Sequence, residues 1–196
     1  MRIGVFGGSF DPPHLAHLQV ASAALKQLKL NRVLWVPALQ SPLKDFPTTS
    51  FEHRLGMVQA LIQGDPDAQA TDIESSLPSP SYTLHTLRAL KKTADEKDSW
   101  FLIIGADNWS VFPNWHQPDA IMREAALAVY PRQGIPLLNL PPQVTLLDCA
   151  EIPMESRQFR GQIQSDPERA LANLPVSVAE YIRHHGLYGF STAATL

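Results

Sequence analysis

The sequence predicts a doubly wound α/β fold, in which a parallel sheet carries helices on both faces. Short apolar runs rich in β-branched residues alternate with helical stretches along the chain. Unbroken hydrophobicity is what parallel strands covered on both faces require, because neither face meets water. The connections between the runs are short, and this favours consecutive βα units with right-handed crossovers.

Five apolar runs predict five strands of this sheet. Their predicted bounds are Ile3–Phe6, Arg32–Pro37, Trp100–Ile104, Leu127–Tyr130 and Val144–Leu147. Four helices are predicted in the remainder of this part of the chain, at His14–Lys29, Phe51–Gln63, Tyr82–Lys91 and Ala120–Glu124. Ser50 is the predicted N-cap of the second of these helices, and Gly64 follows its end.

The C-terminal part predicts two further helices and little else. They cover "SRQFRGQI" and "PVSVAEYIRHHG", and the second places Pro175 at the first helical position and closes at Gly186. The Pro-rich "PLLNLPPQ" predicts a loop. With 196 residues, 44% of them hydrophobic, we expect a single domain over residues 1–190 and a disordered tail over 191–196.

Composition limits the possible partners. The formal net charge is −3 and charges of both signs are interspersed, so we expect neither nucleic acid nor a membrane surface as partner. The single cysteine, Cys149, excludes an internal disulfide and fits a reducing compartment, although a buried bystander thiol fits equally well. No signal-like or bilayer-length apolar segment is present, which predicts a cytoplasmic protein. The oligomeric state stays open, a homo-oligomer included.

The stretch "GGSFDPPHLAH" predicts a phosphate-binding turn directly after the first strand. In open α/β sheets ligands bind at the carboxyl ends of the strands, and here the strand leads into Gly7, Gly8 and Ser9. The glycines let backbone N–H groups face an anion, and the next helix directs its positive end there. His14 and His17 are three apart and share one helix face. The alternative is an ordinary Gly-Pro turn with structural histidines.

Other chemistries fit this turn less well. A structural zinc site needs four ligands, and Cys149 stands alone without a Cys-x-x-Cys pair. The dehydrogenase fingerprint Gly-x-Gly-x-x-Gly is missing, and no Gly-Lys-Ser/Thr follows as in a P-loop. What remains is a nucleotide site that uses histidines where a P-loop uses lysine.

The same residues resemble the signature of the nucleotidyltransferase superfamily, His or Thr, any residue, Gly, His. Here it reads "HLAH", with Ala16 in place of glycine. Most of the chain is similar to the bacterial nicotinate-mononucleotide adenylyltransferases. The matching motifs are "GGSFDPPH", "VPALQSPLK", "RLGMVQ", "PSYTLHTL", "FLIIGADNWSVFPNWH" and "YIRHHGLYG". The resemblance implies a Rossmann-like nucleotidyltransferase fold with C-terminal helices.

The resemblance also implies the reaction and its substrates. The family joins nicotinate mononucleotide to the adenylyl group of ATP, releasing pyrophosphate, with Mg²⁺ on the triphosphate. The attacking phosphate is already ionised, so catalysis would need positioning and charge stabilisation rather than a general base. The resemblance assigns the catalytic roles to His14, His17 and Arg160. Another phosphorylated acceptor, such as nicotinamide mononucleotide or phosphopantetheine, and a non-catalytic nucleotide-binding module remain as alternatives.

The family pattern, together with polar and basic residues close to its motifs, suggests residues for each substrate. For ATP they are Gly7, Gly8, Ser9, Phe10, His14, His17, Gly105, Asp107, Ser156, Arg157 and Arg160. For the acceptor they are Lys44, Arg54, Tyr82, Thr83, Trp115 and His116. Five of these residues have an ordinary structural alternative. Asp107 could be a helix cap, Thr83 a helix start and Trp115 a core residue, and Lys44 or Arg54 could be solvated surface charge.

One motif departs from the family pattern. A late helix of the family begins with Ser-x-Thr-x-x-Arg and holds the β and γ phosphates, whereas this chain reads "ESRQFR". Aligned on Arg160, Glu155 and Arg157 replace the two hydroxyl residues and Ser156 lies between them. Two outcomes are open: an altered anion site built on Ser156 and two arginines, or weaker triphosphate binding.

Overall fold

The computed structural model describes residues 1–40, 49–137, 140–150 and 156–190. Six strands form one parallel sheet in the order β3-β2-β1-β4-β5-β6. The strands are β1 Arg2–Gly8, β2 Arg32–Pro37, β3 Ala68–Ala70, β4 Ser99–Gly105, β5 Ala126–Tyr130 and β6 Val144–Leu146. The chain runs outward from β1 through β2 to β3 and then crosses to β4 on the other side of β1, which confirms the predicted doubly wound architecture.

Eight helices accompany the sheet in the described part of the chain. They are α1 Leu15–Gln27, α2 Phe51–Leu61, α3 Thr83–Lys91, α4 Ala106–Ser110, α5 Pro118–Glu124, α6 Ser156–Gln162, α7 Pro167–Ala172 and α8 Val176–His185. Short 3-10 turns occupy Ile73–Ser76, Phe112–Asn114 and Leu187–Gly189.

Alternate residues of the buried strands feed two separate cores. Ile3 and Val5 of β1 pack with Leu84 of α3 on one face of the sheet. Phe6 packs on the other face with Ala24 of α1 and other residues from α1, α2 and α8. Both faces are therefore covered, and this is why the strand sequences are continuously apolar.

The helix ends follow the predicted signals with shifts of one or two residues. The Ser50 hydroxyl accepts a hydrogen bond from the His53 N–H (3.4 Å), as expected for an N-cap. His14, Tyr82 and Pro175 are N-caps rather than first helical residues. Gly186 ends α8 in a left-handed conformation (φ 58°), as predicted.

Three elements were not predicted: β3, the five-residue helix α4 and α7. β3 has only three residues, Ala68–Ala70, and no apolar run marks it. α7 does carry a start signal, since Asp166 precedes Pro167 and its carboxylate accepts from the Arg169 N–H (3.2 Å). The predicted tail at 191–196 lies outside the described residues.

Candidate active site

The last two residues of β1 and the residue that follows them line a cavity of about 420 Å³ at the carboxyl end of the sheet, so the predicted turn begins inside the strand. Gly7, Gly8 and Ser9 all line it. A Cβ on Gly8 would lie only 3.0 Å from the Phe10 ring, so a side chain at this position would require the ring to shift. Phe10 itself is buried with a left-handed backbone (φ 49°) and packs edge-on against Phe6. Phe10 therefore anchors the loop to the hydrophobic core.

The two histidines of the loop are brought together as predicted. Their ring centroids lie 3.9 Å apart, and the His14 backbone N–H donates to Nδ1 of His17 (3.1 Å). This hydrogen bond makes Nδ1 an acceptor and leaves the proton of the neutral His17 ring on Nε2.

His14 is only 3% exposed, and its environment fixes its charge. Burial, followed by the positive charge of Arg132, lowers the pKa of His14 to about 4. At neutral pH His14 is therefore an uncharged imidazole with one N–H to donate.

The loop is anchored from the C-terminal part of the chain. The Ser156 hydroxyl donates to the Pro12 carbonyl (2.9 Å), and Arg160 donates to the Asp11 carbonyl and lies 3.8 Å from the Asp11 carboxylate. The Tyr188 hydroxyl donates to the same buried carboxylate (2.7 Å). Thus two of the residues assigned to the triphosphate lie beside the nucleotide loop, whereas Arg157 is exposed to solvent. Glu155 lies outside the described residues.

The end of β4 presents an acidic group opposite the histidines. Asp107 lies in the first turn of α4, and its Oδ1 is 3.5 Å from Nε of Arg132. A Cβ on Gly105 would collide with the Asp107 carboxylate and lie 3.1 Å from Tyr130. Gly105 thus makes room for the Asp107 side chain itself.

Arg132 is a candidate site residue that the sequence analysis missed. It lies two residues after the end of β5, its Nη2 is 3.4 Å from the Tyr130 hydroxyl, and its charge reaches His14. Its position in the sequence could have revealed it, because it comes just after the carboxyl end of a strand that neighbours β4.

The other side of the cavity contains most of the residues assigned to the acceptor. Tyr82, Thr83, Trp115 and His116 all line it. The rings of Tyr82 and His116 stack with centroids 4.5 Å apart. Trp115 is half-buried and also packs on Phe112 (5.3 Å), so it combines cavity wall with core contact.

Arg54 does not line this cavity. It is 1% exposed, and its guanidinium donates to the carbonyls of Ser9 (2.9 Å), Thr49 (3.2 Å) and Leu39 (3.3 Å). Burial lowers its pKa. Arg54 thus ties together the backbone of the loops after β1 and β2. Lys44 lies outside the described residues.

The cavity also contains polar side chains that the sequence analysis did not assign. These are Glu74, Ser81, Thr86, Asn108 and Asn114. Within residues 1–40, 49–137, 140–150 and 156–190, no group of three or more His, Cys, Asp or Glu side chains could hold a metal ion. In the same ranges no helix is both long and apolar enough to cross a bilayer.

A family model for cytidylyltransferase-like proteins matches residues 5–171. A Thermus thermophilus protein named "probable nicotinate-nucleotide adenylyltransferase" is 37% identical over 188 residues, which cover 96% of this chain and 100% of that protein. An Oceanobacillus iheyensis protein of the same name is 34% identical, over 96% of this chain and 97% of the other. This chain belongs to the nicotinate-nucleotide adenylyltransferase family.

A solved structure supports the fold assignment. Plasmodium falciparum nicotinic acid mononucleotide adenylyltransferase, complexed with NaAD, superposes with a TM-score of 0.77 over 97% of this chain and 98% of that one, at 20% identity. The family predicted from the motifs and the nucleotidyltransferase fold are thereby confirmed. Members of the family generally use a divalent metal with ATP.

Proposed function

We propose that this enzyme transfers the adenylyl group of ATP to nicotinate mononucleotide. The observation that carries this proposal is one cavity that joins the glycine-rich end of β1, which leads into the two histidines, to an aromatic pocket beside the N-terminus of α3. The first feature suits a triphosphate, and the second suits a flat ring that bears an anionic group. The relatives' names support the same substrates.

In the proposed reaction a phosphate oxygen of nicotinate mononucleotide attacks the α-phosphorus of ATP. A new P–O bond forms, the bond from the α-phosphorus to the bridging oxygen breaks, and its electron pair leaves with pyrophosphate. The nucleophile carries its negative charge already, so no side chain has to remove a proton. The protein's task is to align the groups and to stabilise the developing charge.

Residues of the nucleotide loop take the phosphate roles in this proposal. Neutral His14 and Nε2 of His17 donate to oxygens of the α-phosphate, and the N–H groups after Gly7 face the triphosphate. Arg160 reaches the outer phosphates from α6 while it also holds Asp11. Asp107 accepts hydrogen bonds from the ATP ribose, and Arg132 adds positive charge beside it.

Magnesium enters this reaction with ATP. Mg²⁺ retains several waters and binds substrate phosphates in preference to a full protein cage, a donor set that the triphosphate supplies. When bound with ATP, the ion would neutralise charge on the triphosphate and on the leaving pyrophosphate. The chain's own contribution is the donor set of His14, His17 and Arg160.

Residues on the other side of the cavity bind the acceptor in this proposal. Trp115 stacks on the pyridine ring, and backbone N–H groups near Thr83 and His116 donate to the nicotinate carboxylate. The N–H groups of a helix's first turn have no partner within the helix, so α3 offers them to an anion.

An acceptor panel tests the proposal. The protein is incubated with ATP, Mg²⁺ and, in turn, nicotinate mononucleotide, nicotinamide mononucleotide and phosphopantetheine, and released pyrophosphate is measured. We expect rapid release with nicotinate mononucleotide, and none when a chelator removes the metal. Turnover with phosphopantetheine alone, or with no acceptor, would contradict the proposal.

A further inference from the structure

Glu74 places a carboxylate in the wall of the acceptor pocket, although the proposed chemistry gives it no role. It lies in the 3-10 turn Ile73–Ser76, lines the cavity and is 6% exposed. Burying a carboxylate is costly unless its oxygens receive hydrogen bonds. A charge next to a pocket for an anionic acceptor therefore needs a structural reason.

Its two oxygens bridge two separate segments of the pocket wall. Oε2 accepts from the Leu39 backbone N–H (2.9 Å), and Oε1 accepts from the Thr86 hydroxyl (2.9 Å). Leu39 follows β2, and Thr86 lies in the first turns of α3. Both hydrogen bonds involve an ionised acceptor, the stronger class of hydrogen bond.

A second bridge joins the same two segments. The Ser81 N–H donates to the Gln40 carbonyl (2.9 Å), and the Gln40 N–H lies 3.4 Å from the Ser81 hydroxyl oxygen. The residues that lead into α3 are thus held against the segment after β2 on both sides of Tyr82 and Thr83.

Leu39 extends this network toward the nucleotide loop. Its N–H donates to Glu74, while its carbonyl accepts from Arg54, which also donates to the Ser9 carbonyl. Glu74 and Arg54 thus hold the two successive peptide groups on either side of the Leu39 Cα.

We propose that Glu74 is the positioning residue of the acceptor pocket. It orients the first turn of α3 through Thr86, so that the N–H groups of this turn face the acceptor. This inference rests on the proposed function. The residue acts through its two accepted hydrogen bonds rather than through contact with the substrate.

Steady-state kinetics of Glu74→Ala tests the inference. We expect KM for nicotinate mononucleotide to rise about tenfold or more, while KM for ATP stays within about twofold of the parent value. Glu74→Gln should restore most of the loss, because its carbonyl accepts from Leu39 and its amide donates to the Thr86 oxygen. The exposed Glu180→Ala on α8 is the matched control and should change neither constant.

Thr86→Val removes one of the two hydrogen bonds with little change in volume, and it provides a second test if Glu74→Ala folds poorly. It should raise the acceptor KM in the same selective way, and its effect should not add to that of Glu74→Ala. Equal changes in both KM values, or an unchanged acceptor KM in both variants, would overturn the inference while leaving the proposed function standing. A parent enzyme without acceptor-dependent turnover would instead overturn the proposed function.

Discussion

At the scale of single residues, the proposed site combines uncharged hydrogen-bond donors with cations. His14 is buried and neutral, and His17 presents Nε2, while Arg132 and Arg160 supply charge from the sheet edge and from α6. These groups come from different segments of the chain, so single substitutions should have separable effects.

Replacing either histidine should affect the chemical step more than acceptor binding. We expect His14→Ala and His17→Ala each to lower kcat by about a hundredfold or more, because each removes a donor to charge that develops in the transition state. The KM for nicotinate mononucleotide should change much less. Near-parental turnover in both variants would show that the pair is structural.

The buried His14 should also make stability depend on pH. The folded protein holds the pKa of His14 at about 4, against an ordinary value of 6.5. Below pH 6.5 the unfolded chain binds a proton that the native state does not, so the free energy of unfolding falls as the pH drops toward 4. The full loss is about 3 kcal/mol.

Urea unfolding at pH 7 and at pH 4 measures this loss. In His14→Gln, which cannot take up the proton, the decrease between the two pH values should be smaller than in the parent. The exposed His184→Gln is the control and should retain the parental decrease. Equal decreases in the parent and in His14→Gln would contradict the assignment.

At the scale of elements, helix α2 and the residues after helix α8 anchor the nucleotide loop through hydrogen bonds. α2 carries Arg54, which bonds to the Ser9 carbonyl, and α8 leads into Tyr188, which bonds to Asp11. The two helices pack at Gly56, where a Cβ would lie 2.6 Å from Cζ of Tyr181. Close contact between these helices therefore depends on the absence of a side chain at position 56.

Gly56→Ala should destabilise the protein by about 1–3 kcal/mol through overpacking. At an unobstructed helical position the same change would stabilise by up to about 1 kcal/mol. A double-mutant cycle separates the two effects by denaturant unfolding: in a Tyr181→Ala background, Gly56→Ala should become neutral or stabilising. Equal losses in both backgrounds would rule out the contact with Tyr181 as the cause.

At the scale of the whole molecule, the acceptor pocket exists only because distant segments meet at one sheet edge. Thr83 begins the helix that follows β3, whereas Trp115 and His116 follow β4 on the other side of β1. A pocket with N–H donors from both sides should bind a carboxylate better than an amide, since the amide NH₂ would face another donor.

We therefore expect kcat/KM for nicotinate mononucleotide to exceed that for nicotinamide mononucleotide by about a hundredfold or more. An unmade buried hydrogen bond costs about 1–3 kcal/mol, and two are at stake. Both specificity constants are measured at saturating ATP. A ratio near one would remove the N–H groups near Thr83 and His116 from the acceptor site.

The sequence by itself determined the features that depend on local pattern. Five strands were predicted because a strand buried on both faces must be apolar along its length. The loop from Gly7 to His17 was predicted as a phosphate site because glycine, a helix start and a histidine pair are all close in sequence. The motifs correctly indicated the family for the same reason.

The folded structure was needed to show which polar side chains face the cavity and which ones join its walls through hydrogen bonds. Ala68–Ala70 becomes a strand because β2 offers it an edge, and nothing in its own sequence requires this. Arg54 was expected at a phosphate or in solvent, yet it bonds to three backbone carbonyls, and Glu74 was not singled out at all. The partners of these charges are distant in sequence, and a buried charge is stable only where the fold brings such partners to it.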